Sequence, residues 1–168
     1  MTPDSKTTGL LRRLEVLYPD DVMPLQTWLQ LVRVYSRIQR KLEHALGQQE
    51  MTLAQFEIMM TLKSCQGISQ QELAQHLLVT KGNVCVLVDR MEKCGWLERQ
   101  PDPQDRRAYR LTLTAMGRTL LKKVLPEQRQ IIQEAFGVMT VEESRQLLAL
   151  LDRLERMLMK TWLAGKPG

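Results

Sequence analysis

Histidine, cysteine and aromatic residues are scarce in this 168-residue chain, which has two histidines, three cysteines and 5% aromatic residues. His44 and His76 belong to no His-Glu-x-x-His motif, and the sequence has neither a glycine-rich phosphate loop after a strand nor a nucleophile elbow. His76 suits a surface or phosphate-contacting position better than the role of a general base. We therefore predict that the protein is not an enzyme and that it holds no cofactor.

Cysteine spacing and the lack of long apolar runs exclude further classes. Cys65, Cys85 and Cys94 are odd in number and form no Cys-x-x-Cys pair, so they predict neither a disulfide framework nor a zinc site. No run approaches the roughly 18 apolar residues of a membrane-spanning helix, and the N-terminal residues lack the pattern of a secretory signal. We expect a cytoplasmic protein with reduced thiols, no bound metal and no membrane partner.

The composition is that of an ordinary globular protein with a basic balance. Hydrophobic residues make up 43% of the chain and charged residues 26%, and the formal net charge is +5. This charge permits binding to nucleic acid or to an acidic surface. Because many basic proteins bind neither, the positions of the charges matter more than their sum.

The first half of the chain is helical by its apolar spacing. Apolar residues recur every three or four positions from Leu25 to Leu46, which predicts a long amphipathic helix with Pro24 in its first turn. Thr52 is the predicted N-cap of a second helix. Ser69 and Glu72 form a capping box at the start of a short third helix.

A fourth helix and a hairpin follow. Thr80 is the predicted cap of this helix, which ends near Cys94 and Gly95. Residues 96–100 and 108–113 then have the pattern of two paired strands. The segment between them, PDPQDRR, contains two prolines and a charged end, so we expect a polar turn at the tip of the hairpin.

The last third of the chain is helical again. One apolar stripe runs from Leu120 to Phe136, and Pro126 within it predicts a kink or a split near Leu125. A second stripe runs from Leu147 to Leu158, preceded by a capping box of Thr140 and Glu143.

The third and fourth helices have the spacing of a helix-turn-helix unit. At about 100° per residue, Val84, Leu87, Val88 and Met91 fall on one arc of the fourth helix and are predicted to face the core. The opposite arc is small and polar, and it suits the major groove of DNA. An exposed helix with an ordinary solvated face is the alternative interpretation.

Particular residue types on that arc match particular parts of DNA. Thr80 and Lys81 suit phosphates, Gly82 permits close approach of the backbone, Asn83 matches the edge of adenine, and Val86 matches the methyl group of thymine.

The hairpin that follows the fourth helix suits a wing. Arg106 and Arg107 at its tip suit a narrow minor groove, and Asp105 would orient one of them. Asp89, on the DNA side of the fourth helix, would be repelled by phosphate unless an arginine paired with it. The predicted DNA contacts are Ser69, Thr80, Lys81, Gly82, Asn83, Cys85, Val86, Arg90, Asp105, Arg106 and Arg107.

From Met51 to Gly117 the sequence resembles the MarR (multiple antibiotic resistance regulator) family. The specific elements are Asp-Pro-Gln-Asp-Arg-Arg at positions 102–107 and Leu-Thr-x-x-Gly at positions 113–117. The resemblance implies a winged helix-turn-helix homodimer that binds palindromic double-stranded DNA. It also implies repression or activation that is relieved by a small aromatic or phenolic acid, or by cysteine oxidation. Cys85 departs from the Ser or Thr that the family usually carries.

The expected architecture is mainly α with a small two-stranded β-wing, in which long N- and C-terminal dimerisation helices flank the winged core. The expected domains are residues 1–47, 48–116 and 117–168. The apolar stripes at both ends have little else to pack against, which favours a homodimer over a bundle within one subunit. The predicted interface residues are Leu10, Leu14, Leu17, Leu147, Leu151, Leu154 and Leu158.

Two hypotheses concern how DNA binding is regulated. Trp28, Tyr35, Phe56, Met59 and Met60 would line a pocket for a flat apolar effector, although an ordinary core is the more frequent role of such residues. 

The redox hypothesis concerns Cys85, which lies near a helix N-terminus and Lys81, where the reactive thiolate would be favoured. The predicted function is that of a sequence-specific transcriptional regulator, expected to repress. The alternatives are a non-specific architectural DNA-binding protein and a winged helix used only for protein contacts.

Overall fold

A computed structural model of the chain describes residues 22–77, 81–102 and 109–160, apart from the side chains of residues 22 and 81–83. These residues form six helices and three strands. In chain order they are α1 (Val22–Gly47), α2 (Leu53–Ser64), β1 (Ile68–Ser69), α3 (Gln70–His76), α4 (Lys81–Lys93), β2 (Leu97–Pro101), β3 (Tyr109–Leu113), α5 (Ala115–Phe136) and α6 (Val141–Leu158). The fold class predicted from the sequence is confirmed.

The small sheet has one strand more than the sequence predicted. Its order is β1-β3-β2, and both neighbours pair antiparallel with β3. Leu111 on β3 pairs with Arg99 on β2 and with Ile68 on β1. The predicted two-stranded wing is present as β2 and β3, and β1 adds a short third strand that the sequence did not predict. Two residues are too few to show the alternation that identifies a strand in sequence.

The core lies where α2, α3 and α4 pack against the inner face of the sheet. On β3, Leu111 and Leu113 are buried while Thr112 between them is half-buried, as the period of a strand requires. The buried cluster comprises Leu46, Met51, Ile58, Met59, Leu62, Leu73, Leu77, Val84, Val88, Met91, Leu97, Leu111, Leu113, Leu121 and Val124.

Three of the predicted helix starts are confirmed at their caps, and the predicted cap Thr80 lies outside the described residues. Thr52, Ser69 and Thr140 each accept a hydrogen bond from the backbone N–H three residues on, and each forms a complete capping box. After the C-terminal end of α4, Gly95 has a φ of +70°, and this left-handed conformation lets the chain leave the helix and enter β2.

Pro126 lies inside α5 without ending it. The helix is continuous from Ala115 to Phe136, so the predicted split near Leu125 is wrong, and the kink stays a prediction. Proline removes one backbone hydrogen bond. Here eleven residues on each side of the Leu125–Pro126 junction retain helical geometry.

The chain divides into two compact units, residues 1–127 and 128–168. In the second unit, Phe136 accepts a hydrogen bond from the backbone N–H of Met139, which closes the turn between α5 and α6. Helix α6 has no buried residue, and Leu150, Leu151 and Leu154 on it are exposed. The predicted interface residues Leu10, Leu14 and Leu17 lie outside the described residues. None of the helices in the described ranges combines the length and the apolar character needed to cross a membrane.

Candidate nucleic-acid interface

Helix α3 is fixed at its first residue by Ser69. The Ser69 hydroxyl accepts from the backbone N–H of Glu72 (3.1 Å), and the Glu72 carboxylate accepts from the backbone N–H of Ser69 (2.7 Å). The hydrogen bond that the Ser69 backbone N–H donates to the Glu72 carboxylate is the largest cause that lowers the pKa of Glu72. The Ser69 hydroxyl thus has a capping role, and its contact with DNA stays a prediction.

Helix α4 has the two faces that its sequence predicted. Val84, Val88 and Met91 are fully buried, whereas Cys85 and Arg90 are exposed and the side chain of Val86 is 69% exposed. The outward arc is therefore open along at least the second turn of the helix.

The start of this helix is described only in its backbone. Lys81, Gly82 and Asn83 form the first turn of α4, and their side chains lie outside the described residues, as does Thr80. The roles predicted for these four residues therefore stay predictions.

Cys85 lies beside α3, not only on the outer face of α4. The side-chain amide of Gln70 donates to the Cys85 Sγ at 2.6 Å, which joins the first turn of α3 to α4. All three cysteines are free thiols, with Cys85 and Cys94 exposed and Cys65 half-buried. The predicted oxidation of Cys85 is not tested by this geometry.

Asp89 has the arginine partner that its position requires. The Arg99 guanidinium reaches from β2 to α4, where Nη2 lies 2.5 Å from the Asp89 Oδ1 and Nη1 pairs with the Glu92 Oε2. The backbone N–H of Arg99 also donates to the Glu92 Oε1 at 3.2 Å. Burial opposes the charge of Arg99, but the two carboxylates outweigh it and raise its pKa.

The base of the wing carries a second arginine that sequence reasoning missed. The Arg110 Nε donates to the Asp102 Oδ2 (2.8 Å), and its Nη1 donates to the Gly67 carbonyl (2.9 Å). This side chain thereby joins β3 to the segment that precedes α3. Asp105, Arg106 and Arg107 at the predicted tip lie outside the described residues.

The Leu-Thr-x-x-Gly motif connects the wing to α5. The Thr114 hydroxyl donates to the Gly95 carbonyl (2.6 Å) and accepts from the backbone N–H of Gly117 (3.0 Å). The Thr114 backbone N–H donates to the Trp96 carbonyl at 3.1 Å. A Cβ on Gly117 would lie 1.9 Å from that carbonyl oxygen, so only glycine fits here.

The five residues of the predicted effector pocket have different environments. Met59 is fully buried, and Phe56 and Met60 pack against the core, so all three belong to the core cluster or its edge. Trp28 and Tyr35 on α1 are each 59% exposed.

Two recesses have basic linings. One of about 250 Å³ is lined by Lys63, Gln66, Leu113, Arg118, Leu121 and Lys122. The other, on α1, is lined by Arg37, Arg40, Lys41 and His44. Within the described part of the chain, no group of histidine, cysteine and acidic side chains is placed to hold a metal ion.

Comparison with known proteins identifies this arrangement. Residues 51–109 match the model of the MarR family. The HTH-type transcriptional regulator PecS of Dickeya dadantii is 31% identical over 144 residues, which cover 83% of this chain and 87% of PecS.

Solved structures agree with the family model. A mutant of MarR from E. coli complexed with operator DNA has a TM-score of 0.71 and 26% identity, covering 80% of this chain and 96% of MarR. Bordetella bronchiseptica BpsR, whose DNA binding is regulated by 6-hydroxynicotinic acid, has a TM-score of 0.69 and 26% identity, covering 75% of this chain and 90% of BpsR. The chain therefore belongs to the MarR family and is a DNA-binding transcriptional regulator with a winged helix fold.

Proposed function

We propose that the protein is a sequence-specific repressor that binds palindromic operators as a homodimer. The observation that supports this most directly is the outward face of α4, where Cys85, Val86 and Arg90 are exposed while the opposite face is buried. Bound at an operator that overlaps a promoter, the dimer would block transcription. The similarity to MarR bound to operator DNA supports the proposal that the outward face of α4 is the one that meets DNA.

Eight of the predicted contacts have a proposed role. Asn83 pairs with adenine and Val86 packs against a thymine methyl group, so these two residues specify sequence. Thr80, Lys81 and Arg90 bind phosphates and set the register of the helix in the groove. Arg106 and Arg107 insert into the minor groove, with Asp105 orienting one of them.

The dimer is proposed from the second unit of the chain. Leu147, Leu151, Leu154 and Leu158 recur at spacings of four, three and four on α6, which has no buried residue. Leu151 is 38% exposed and Leu154 49% exposed in the single chain. Two-fold pairing of this face would cover these side chains and link two winged units in one molecule, and we expect their half-sites to lie about 10 base pairs apart.

The first test is selection of DNA from a random pool at near-physiological salt. We expect the wild-type protein to enrich an inverted repeat, and an Asn83→Ala plus Arg107→Ala variant to lose that enrichment. The variant's thermal unfolding must match that of the wild type, because only then does the loss report on contacts. Salt-dependent binding without any enriched sequence would instead indicate a non-specific architectural protein. No DNA binding at all would indicate a winged helix used for protein contacts.

An aromatic acid is the proposed effector. The regulation of BpsR by 6-hydroxynicotinic acid supports this class of ligand. Met59 is inaccessible in the core, whereas the recess of about 250 Å³ combines the apolar Leu113 and Leu121 with the cations of Lys63, Arg118 and Lys122. An aromatic carboxylate matches this lining, since its ring suits the leucines and its charge suits the cations.

Titration calorimetry with benzoic, hydroxybenzoic and hydroxynicotinic acids tests the effector. We expect one class to bind the wild-type protein, and a Lys63→Ala plus Lys122→Ala variant to bind it about tenfold or more weakly. A Lys41→Ala variant on the other recess is the matched control and should bind as the wild type does. If no acid binds, or if the Lys41→Ala variant alone loses binding, the proposed site is wrong.

A further inference from the structure

The side of α4 that approaches DNA in the proposed function carries an acidic pair. Asp89 lies one turn after Val86, and its side chain is 57% exposed. Glu92 follows three residues later with a side chain that is 39% exposed. A carboxylate beside a phosphate is repelled by it, and the repulsion is stronger near a protein surface than in bulk water. Two such groups on a DNA-binding helix need a compensating charge.

Arg99 supplies that charge from a different element. Its side chain is 22% exposed, and one nitrogen of its guanidinium is used for Asp89 and another for Glu92. The Arg99 backbone N–H also donates a hydrogen bond to the Glu92 carboxylate. Because β2 pairs with β3 at Arg99 and Leu111, these contacts also fix α4 against the wing strand.

We propose that Arg99 is a positioning residue for DNA binding, which masks Asp89 and Glu92 and fixes α4 relative to the wing. This inference rests on the proposed function. Arg99 acts through the two carboxylates and not through a contact of its own with DNA. Its removal therefore leaves two unmasked negative charges beside the phosphates, whereas removal of both Arg99 and the charge of Asp89 does not.

A double-mutant cycle on operator affinity separates masking from direct contact. We expect Arg99→Met to weaken binding about 10- to 100-fold, and Asp89→Asn alone to change it by less than about threefold. The combined variant should recover the part of the loss that comes from the unmasked charge of Asp89, whereas the part that comes from the lost contact with Glu92 should remain. If Arg99 instead bound a phosphate, Asp89→Asn would rescue nothing, and the slope of log affinity against log salt would fall by about 0.9.

Glu98→Gln is the matched control. Glu98 is an exposed carboxylate on the same strand, and its Oε1 accepts from Gln100 and Thr112 rather than from Arg99. Its neutralisation should act equally in the wild-type and Arg99→Met backgrounds, and so should show no coupling. Equal rescue by Glu98→Gln and Asp89→Asn would overturn the inference, since it would reduce the effect to net charge.

Further measurements distinguish failure of this inference from a folding defect and from failure of the proposed function. Should Arg99→Met fail to fold, Arg99→Lys keeps the charge but loses the two-pronged geometry, and we expect a smaller loss with the same rescue. All variants are also measured on random duplex DNA at low salt. If the wild type binds its operator specifically and Arg99→Met binds it equally well, this inference is wrong while the proposed function stands. If the wild type selects no operator, the proposed function is wrong. The affinities of the wild type, Arg99→Met and the combined variant for random duplex DNA then still measure the masking.

Discussion

Replacing Gly117 by alanine is expected to destabilise the winged unit by roughly 3 kcal/mol or more. The new Cβ would lie 1.9 Å from the Trp96 carbonyl oxygen and 2.8 Å from its carbon, and both are backbone atoms that no side-chain rotation can move away. The same carbonyl accepts the Thr114 backbone N–H. Relief of the clash would therefore separate the start of α5 from the end of α4 and break the contacts of Thr114.

Urea unfolding followed by circular dichroism, at equal protein concentration, measures this loss. Gly47→Ala is the matched control, because nothing lies within 4 Å of the position where its Cβ would be built. That variant should unfold within about 0.5 kcal/mol of the wild type. An unfolding midpoint for Gly117→Ala equal to that of the wild type would show that α5 does not approach Trp96 this closely.

The second large effect is expected from two lysines on the apolar face of α6. Leu151→Lys with Leu154→Lys places two charges where the proposed dimer packs, and the desolvation of unpaired charges is costly. We expect a monomer in sedimentation equilibrium. Its operator affinity should fall by about 100-fold or more, since the second half-site is then no longer bound by a linked partner.

The matched control adds the same charge elsewhere on the helix. Gln146 and Ala149 are exposed on α6, away from the arc of Leu147, Leu151 and Leu154. Gln146→Lys with Ala149→Lys should stay dimeric and bind the operator as the wild type does. If the leucine variant remains a dimer, the interface lies elsewhere, and the exposed face of α6 has another role.

The sequence alone predicted what local rules control. The caps at Thr52, Ser69 and Thr140 depend on hydrogen bonds between groups three residues apart, so the residue types at those spacings suffice. The buried face of α4 follows from the angle of about 100° per residue, and Val84 and Val88 are buried as predicted. The family followed from the motifs at the wing and at the start of α5.

Sequence reasoning did not predict the contacts between distant residues. The pairing of Ile68 with Leu111 adds β1 to the sheet, but two residues contain no strand pattern. Arg99 had no visible partner because Asp89 lies ten residues away on another element, and the sequence showed only that Asp89 required an arginine. Charge types are recorded in the sequence, but which charges meet is decided by packing.

Pro126 and Gly117 illustrate the same division from opposite sides. Proline predicted a kink or a split from a local rule, yet α5 continues through it without a split, because local propensity alone does not decide where a helix ends. Gly117 was identified only as part of a family motif. A Cβ at position 117 would lie 1.9 Å from the Trp96 carbonyl oxygen, and this explains why the position is a glycine. The sequence by itself thus determined the elements and their faces, whereas the tertiary structure decided which elements touch, because those contacts depend on positions that no local spacing specifies.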